Sequence, residues 1–215
     1  ERTGHPSDSS PWHHVVPAQN KDCGIWHEIV AHIKQFVPSK CQECWKVVVR
    51  PQTLRELFQL LEIQKELQMP SKCGIEERPI VHGLYGGYFY NDSLEEGLEC
   101  YEKVCDAVDM PISLKRGCTE FELACGNSRT WEVTDSQLGF EDMVDRCVVK
   151  YPEDHARQSF HAIQGVHRSW IEWAYAHGDK TYLEYTDGWP LYTPPATYHS
   201  EETCRSTRTA ASLVV

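Results

Sequence analysis

From Trp45 onward the chain alternates between two hydrophobic periods. Trp45–Arg50, WKVVVR, is a short β-branched run bounded by turn residues, the composition of a buried strand. Leu54, Leu57, Phe58 and Leu61 then recur at helical spacing, and Thr53-Leu-Arg-Glu56 is a capping box, so a helix is predicted over 53–68. Residues 73–82 read as extended, with Pro79 marking an edge or a bulge. Gly83–Gly87 reads as a turn and Tyr88–Tyr90 as a strand. Ser93-Leu-Glu-Glu96 is a second capping box, and Leu94, Leu98, Tyr101, Cys105 and Val108 form the stripe of a helix over 93–108. Pro111–Arg116 closes the series as a last strand.

The order strand, helix, strand, strand, helix, strand is the pattern of a split βαβ unit. The expectation is therefore an α+β protein with a ferredoxin-like βαββαβ core over 41–125 and strand order 4-1-3-2. Residues 1–40 supply an arm, rich in Pro, Ser and His over 1–21, and a helix over 23–37 capped by Asp22. Residues 126–215 form a helical C-terminal region with an extended tail. Helices are predicted over 135–149, started by the capping box Thr134–Gln137, and over 152–177, where Phe160, Ile163, His167, Trp170 and Ala174 share a side. These two helices are the expected cover for the aromatic face of the sheet. Residues 181–185 read as a short extended piece.

Composition narrows the classes. The 215 residues are 40% hydrophobic, enough for a core, and no apolar run approaches the roughly 18–20 residues of a membrane span. The net charge is −11, with 15 acids against 9 bases in residues 41–125. Such a surface repels polyanions, so nucleic-acid binding is disfavoured without being closed off.

Ten cysteines are many for a chain of this length, and they change the picture most. Cys41 and Cys44 precede the first core strand, Cys73 opens the second and Cys118 closes the fourth. In the expected topology all four fall at one end of the sheet, the donor set of a structural zinc site. Three readings stay open: a four-thiolate zinc centre, thiols that are buried or free, and, as the least favoured, a redox pair or a disulfide. A redox pair is disfavoured because the CxxC precedes a strand rather than opening a helix. Cys100, Cys105 and Cys147 read as core residues. A reducing, intracellular compartment is the expected setting.

Other candidates are weaker. His27 and His32 in HEIVAH are five apart, which puts them on different faces of a helix. His161 and His167 are candidate acid–base residues if a carboxylate or Cys118 meets them. GGYFY, residues 86–90, places Tyr88 and Tyr90 on one strand face, where RNA bases could stack if Lys46, Arg50 and Lys115 surround them. Glu76, Glu77, Glu120 and Glu122 lie near strand ends, as a solvated charge run or as paired carboxylates.

The leading expectation is a non-catalytic interaction or assembly protein with a protein partner, its core stapled by zinc if the thiols converge. The alternatives are an enzyme using His161 or His167 between sheet and C-terminal helices, and an RNA-binding module.

Overall fold

The computed structural model describes residues 10–18, 36–147 and 158–192. The helix expected over 23–37, with His27 and His32, lies outside these residues except for positions 36 and 37, which are not helical. The arm before residue 10 and the tail after residue 192 also lie outside them.

Five strands form one antiparallel sheet: β1 (Trp12–Val16), β2 (Trp45–Val49), β3 (Ser71–Ile75), β4 (Tyr85–Asn91) and β5 (Ile112–Arg116). Their order across the sheet is β1-β3-β4-β2-β5. Six α-helices occur among the described residues: α1 (Ser39–Gln42), α2 (Leu54–Leu67), α3 (Leu94–Ala107), α4 (Thr119–Cys125), α5 (Asp135–Cys147) and α6 (Phe160–Ala176). Two short 3-10 turns, η1 (Ser128–Thr130) and η2 (Lys180–Tyr185), complete the set. None of these helices is long and apolar enough to cross a membrane.

All three capping hydroxyls act as expected. Thr53 accepts from Glu56 N at 3.2 Å, Ser93 from Glu96 N at 3.1 Å, and Thr134 from Gln137 N at 3.2 Å. The carboxylates of Glu56 and Glu96 reach one residue further back than the usual box, to Gln52 N and Asp92 N.

Several expectations need correction. Residues 12–16 are not part of an arm but an edge strand, paired with β3 from Trp12 opposite Gly74 to Val16 opposite Ser71. Gly86 and Gly87 are not turn residues; they sit inside β4. A methyl group on Gly87 would overlap Leu60 Cδ2, so a missing side chain here marks the close approach of α2. Residues 181–185 are a 3-10 turn, not an extended piece.

The helix α3 is rolled away from its expected face. Its buried residues are Gly97, Cys100 and Val104, whereas Leu94, Leu98 and Cys105 are exposed. At 100° per residue the buried centre lies roughly 90° from the expected stripe. Gly97 is the reason: a Cβ there would come within 3.1 Å of both Trp45 and Leu114, so the helix docks glycine-first on β2 and β5. Cys147, also expected inside, is exposed.

The main core gathers Val47, Val49, Cys73, Ile75, Tyr85 and Phe89 from one sheet face with Leu54, Leu57, Leu60 and Leu61 of α2. Val166, Trp170 and Ala174 bring α6 onto this same face, beside α2. The expected role of this helix as cover for the face of Tyr88 is thus reversed. A second, smaller cluster holds Val37, Cys41, Phe121 and Trp131, with Cys118 and Cys125 packed against it.

Asp179 ties α6 and η2 to the start of α2. Its Oδ2 accepts from Leu54 N at 2.6 Å and from the Tyr85 hydroxyl at 2.9 Å, while Oδ1 accepts from Thr181. Burial alone would raise the carboxyl's pKa, and these bonds more than reverse that, so it sits below its ordinary value. Its stabilisation is present above about pH 4 and is lost as pH falls through the depressed folded value. Asp179→Ala removes the acceptor from the fully buried Tyr85 and is expected to cost about 2 kcal/mol in urea unfolding at pH 7. A cost under about 0.5 kcal/mol would mean that this link is not holding the helices.

Candidate functional site

The sheet face opposite the main core carries Lys46, Tyr88 and Tyr90, with Arg50 at its edge. Register fixes this: Lys46 pairs with Tyr90 and Lys115, one position off the inward Val47. Tyr88 is buried, and its hydroxyl donates to Glu76 at 2.7 Å while accepting from Arg78 at 3.0 Å and Arg50 at 3.2 Å. Glu76, itself buried, takes a two-pronged bond from Arg78 at 2.7 and 2.6 Å. Burial pushes the Glu76 carboxyl up, but the Arg78 and Tyr88 hydrogen bonds outweigh it and hold the group low. Arg78 also reaches Glu120 at 2.8 Å, and Lys115 pairs with Glu122. Glu76, Glu120 and Glu122 therefore each meet a cation of the chain, and Glu77 is exposed. Arg50 and Lys115, two of the three cations an RNA-stacking face would present, are engaged with the chain's own groups. The third, Lys46, is buried against Cys118.

Lys46 is only 9% exposed, and its Nζ lies 2.8 Å from Cys118 Sγ. Burial pulls its pKa down. The neighbouring sulfurs of Cys118 and Cys44 and the Tyr90 hydroxyl reverse this, and the net direction is upward. The backbone brings these groups together. Gly117 N donates to Cys44 O at 2.7 Å, extending the β2–β5 ladder by one step. Gly117 then adopts φ +62°, and Trp131 leaves no room for a Cβ there, so the chain turns and delivers Cys118 to the Lys46 side.

Of the four expected zinc ligands, Cys41 and Cys118 meet in the second cluster, and Cys44 and Cys118 both act on Lys46. Cys73 does not join them. It sits in the middle of β3, opposite Gly87 and His13, fully buried in the main core. Desolvation there pushes its thiol pKa up, which disfavours the thiolate a metal needs. Among the described residues no group of three or more His, Cys, Asp or Glu side chains is arranged to hold a metal ion. The positive charge beside Cys118 is the lysine ammonium.

The two candidate histidines are also apart. His161 is exposed, its ring edge-on to Phe160. His167 is half-buried and lines a cleft of about 480 Å³ with Arg168, Ile171, Glu172 and Leu191. Its Nε2 is 3.0 Å from His13 Nδ1, so its partner is a second imidazole rather than a carboxylate. Burial lowers both, His13 to about 4. Sequence reasoning missed His13 because β1 carried no recognised strand pattern. It missed Lys46 because pairing a strand lysine with a distant cysteine requires the register.

Comparison with protein-family models, curated protein sequences and solved structures finds no significant match to this chain.

Proposed function

We propose that this chain is a non-catalytic interaction protein whose docking surface is the outer side of α3. The core β2-α2-β3-β4-α3-β5 is read as a ferredoxin-like unit with β1 added at one edge. The strand order β3-β4-β2-β5 and the placement of α2 and α3 residues in one core support that reading.

The observation that carries the proposal is the apolar ridge left exposed by the roll of α3. Leu94 and Leu98 are 39% and 49% exposed, and Cys105 continues their line two turns on, with half-buried Tyr101 between them. Glu95, Glu99, Glu102 and Asp106 flank this ridge on one side. Residues 92–109 hold seven acids and one base. A helix with an apolar stripe beside an acidic stripe complements a basic amphipathic helix of a partner protein.

The test uses a synthetic amphipathic helix of leucine and lysine titrated into the isotopically labelled full chain. The expected result is chemical-shift change centred on Leu94–Cys105, affinity falling with added salt, and at least tenfold weaker binding for Leu98→Asp or Glu102→Lys. Shifts centred elsewhere, or affinity unchanged in both variants, would overturn the assignment.

A further inference from the structure

We infer that Cys118 is a hydroperoxide-reactive thiol, with Lys46 as the cation that holds its thiolate and as the proton donor to the departing oxygen. The inference is independent of the α3 surface and rests on a different face of the sheet.

The first support is the burial of Lys46. An ammonium withdrawn from water needs a compensating negative group, and among the described residues no carboxylate forms an ion pair with Lys46. The group within hydrogen-bond distance is the Cys118 sulfur, at 2.8 Å. A cation against a sulfur favours the thiolate, which is the reactive form. The Tyr90 ring, 5.6 Å from Nζ, adds a further favourable contact with the charge. The second support is access: Cys118 is half-buried while Cys44 and Cys41 are buried, so a small electrophile meets Cys118 first.

The step balances with the hydroperoxide as oxidant. The Cys118 thiolate attacks the terminal oxygen of R–O–OH; an S–O bond forms and the O–O bond breaks. The bonding pair leaves on the RO oxygen, which takes a proton from the Lys46 ammonium. The products are Cys118–SOH, ROH and neutral Lys46, which recovers its proton from solvent. Sulfur is oxidised by two electrons and the peroxide reduced by two. A neighbouring thiol such as Cys44 then condenses with the sulfenic acid to a disulfide and water.

The test treats the reduced full chain with hydrogen peroxide and dimedone, and follows each cysteine by peptide mass spectrometry, counting dimedone adduct and disulfide together. Exposed Cys105 and Cys147 are the internal references. Cys118 is expected to be oxidised at least tenfold faster than either. Lys46→Met should bring it down to their rate. Lys46→Arg should keep alkylation by iodoacetamide fast yet slow the peroxide reaction, because a guanidinium yields no proton. Cys118 reacting no faster than Cys105 in the unaltered chain would overturn the proposal without any variant. An unchanged rate in folded Lys46→Met would do the same, and an unchanged peroxide rate in Lys46→Arg would remove the proton-donor role.

Discussion

Trp170→Ala is expected to cost about 3–5 kcal/mol, the largest effect of any single substitution considered. Trp170 is fully buried where α6, α2 and β1 meet. Its ring lies 4.9 Å from His167 and 5.3 Å from Phe58, centroid to centroid. Its Nε1 donates to Pro11 O at 2.8 Å, just ahead of β1. Truncation removes the aromatic contacts, leaves a cavity and frees the carbonyl that anchors the edge strand. Urea unfolding measures the total. Hydrogen exchange should show the protection of Trp12–Val16 falling more than that of Val47–Val49, because the edge strand loses its anchor while the central strands keep both neighbours. Trp170→Phe keeps a ring but loses the bond to Pro11, so its cost should be intermediate. A loss under about 1.5 kcal/mol for the alanine variant would mean that α6 does not contribute to the core as described.

Acidification from pH 7 to pH 4 is expected to remove about 2–3 kcal/mol through the histidines of β1 and α6. Burial lowers His13 to about 4 and His14 to about 4, and it lowers His167 as well. Lys72 adds to the shift of His14, and His167 to that of His13. The unfolded chain takes up these protons from about pH 6.5 downward while the folded chain resists until about pH 4. Between those values the unfolded state binds more protons, so stability falls as pH falls, and the loss levels off below the folded values. The size is discounted from the full linkage value because the rings are not wholly withdrawn from water. Geometry gives the same sign. The His13–His167 bond needs one ring nitrogen to donate and the other to accept, and two imidazolium rings would bring two N–H groups face to face with their nitrogens only 3.0 Å apart. The double variant His13→Phe/His167→Phe should make the dependence between pH 6.5 and 5 shallower, leaving the share of His14. An unchanged slope in that variant would place the acid sensitivity elsewhere. Asp179 and Glu76, whose carboxyls are held low, contribute only below about pH 4, so the two causes separate by pH.

The parts of the fold that were legible are those whose signal is local. Thr53, Ser93 and Thr134 each meet the amide three residues on, and that geometry is contained within one turn of chain. WKVVVR is a strand because three consecutive valines on a pleated backbone suit burial on both faces, and Val47, Val48 and Val49 are all buried. Trp12–Val16 was not legible: two central histidines carry no hydrophobic alternation of their own, and His13 is buried, with His14 half-buried, only because other segments supply neighbours. For α3, the pattern identified the helix but not its docking face. Glycine carries no hydrophobic signal, and the glycine at position 97 decided which side approaches the sheet.

The candidate site divides in the same way. At the end of β5, Gly117 turns the chain and brings Cys118 to Lys46, and Cys41 and Cys118 both belong to the second cluster. Cys73 was placed with them because it begins an extended stretch. The strand instead starts two residues earlier, at Ser71, which places Cys73 in mid-strand rather than at its start, within the core. A two-residue error in a strand boundary leaves the face unchanged but shifts a side chain by about 7 Å along the sheet.

By itself the sequence determined the types and order of the elements β2-α2-β3-β4-α3-β5 and the starts of the three capped helices, because hydrophobic period and capping chemistry act within a few residues. Only the tertiary structure decided the membership of β1, the face on which α6 packs, the roll of α3 and the meeting of Lys46 with Cys118. Each of these depends on atoms brought together from distant segments, where register and steric fit between backbones choose among arrangements that local preference leaves equal.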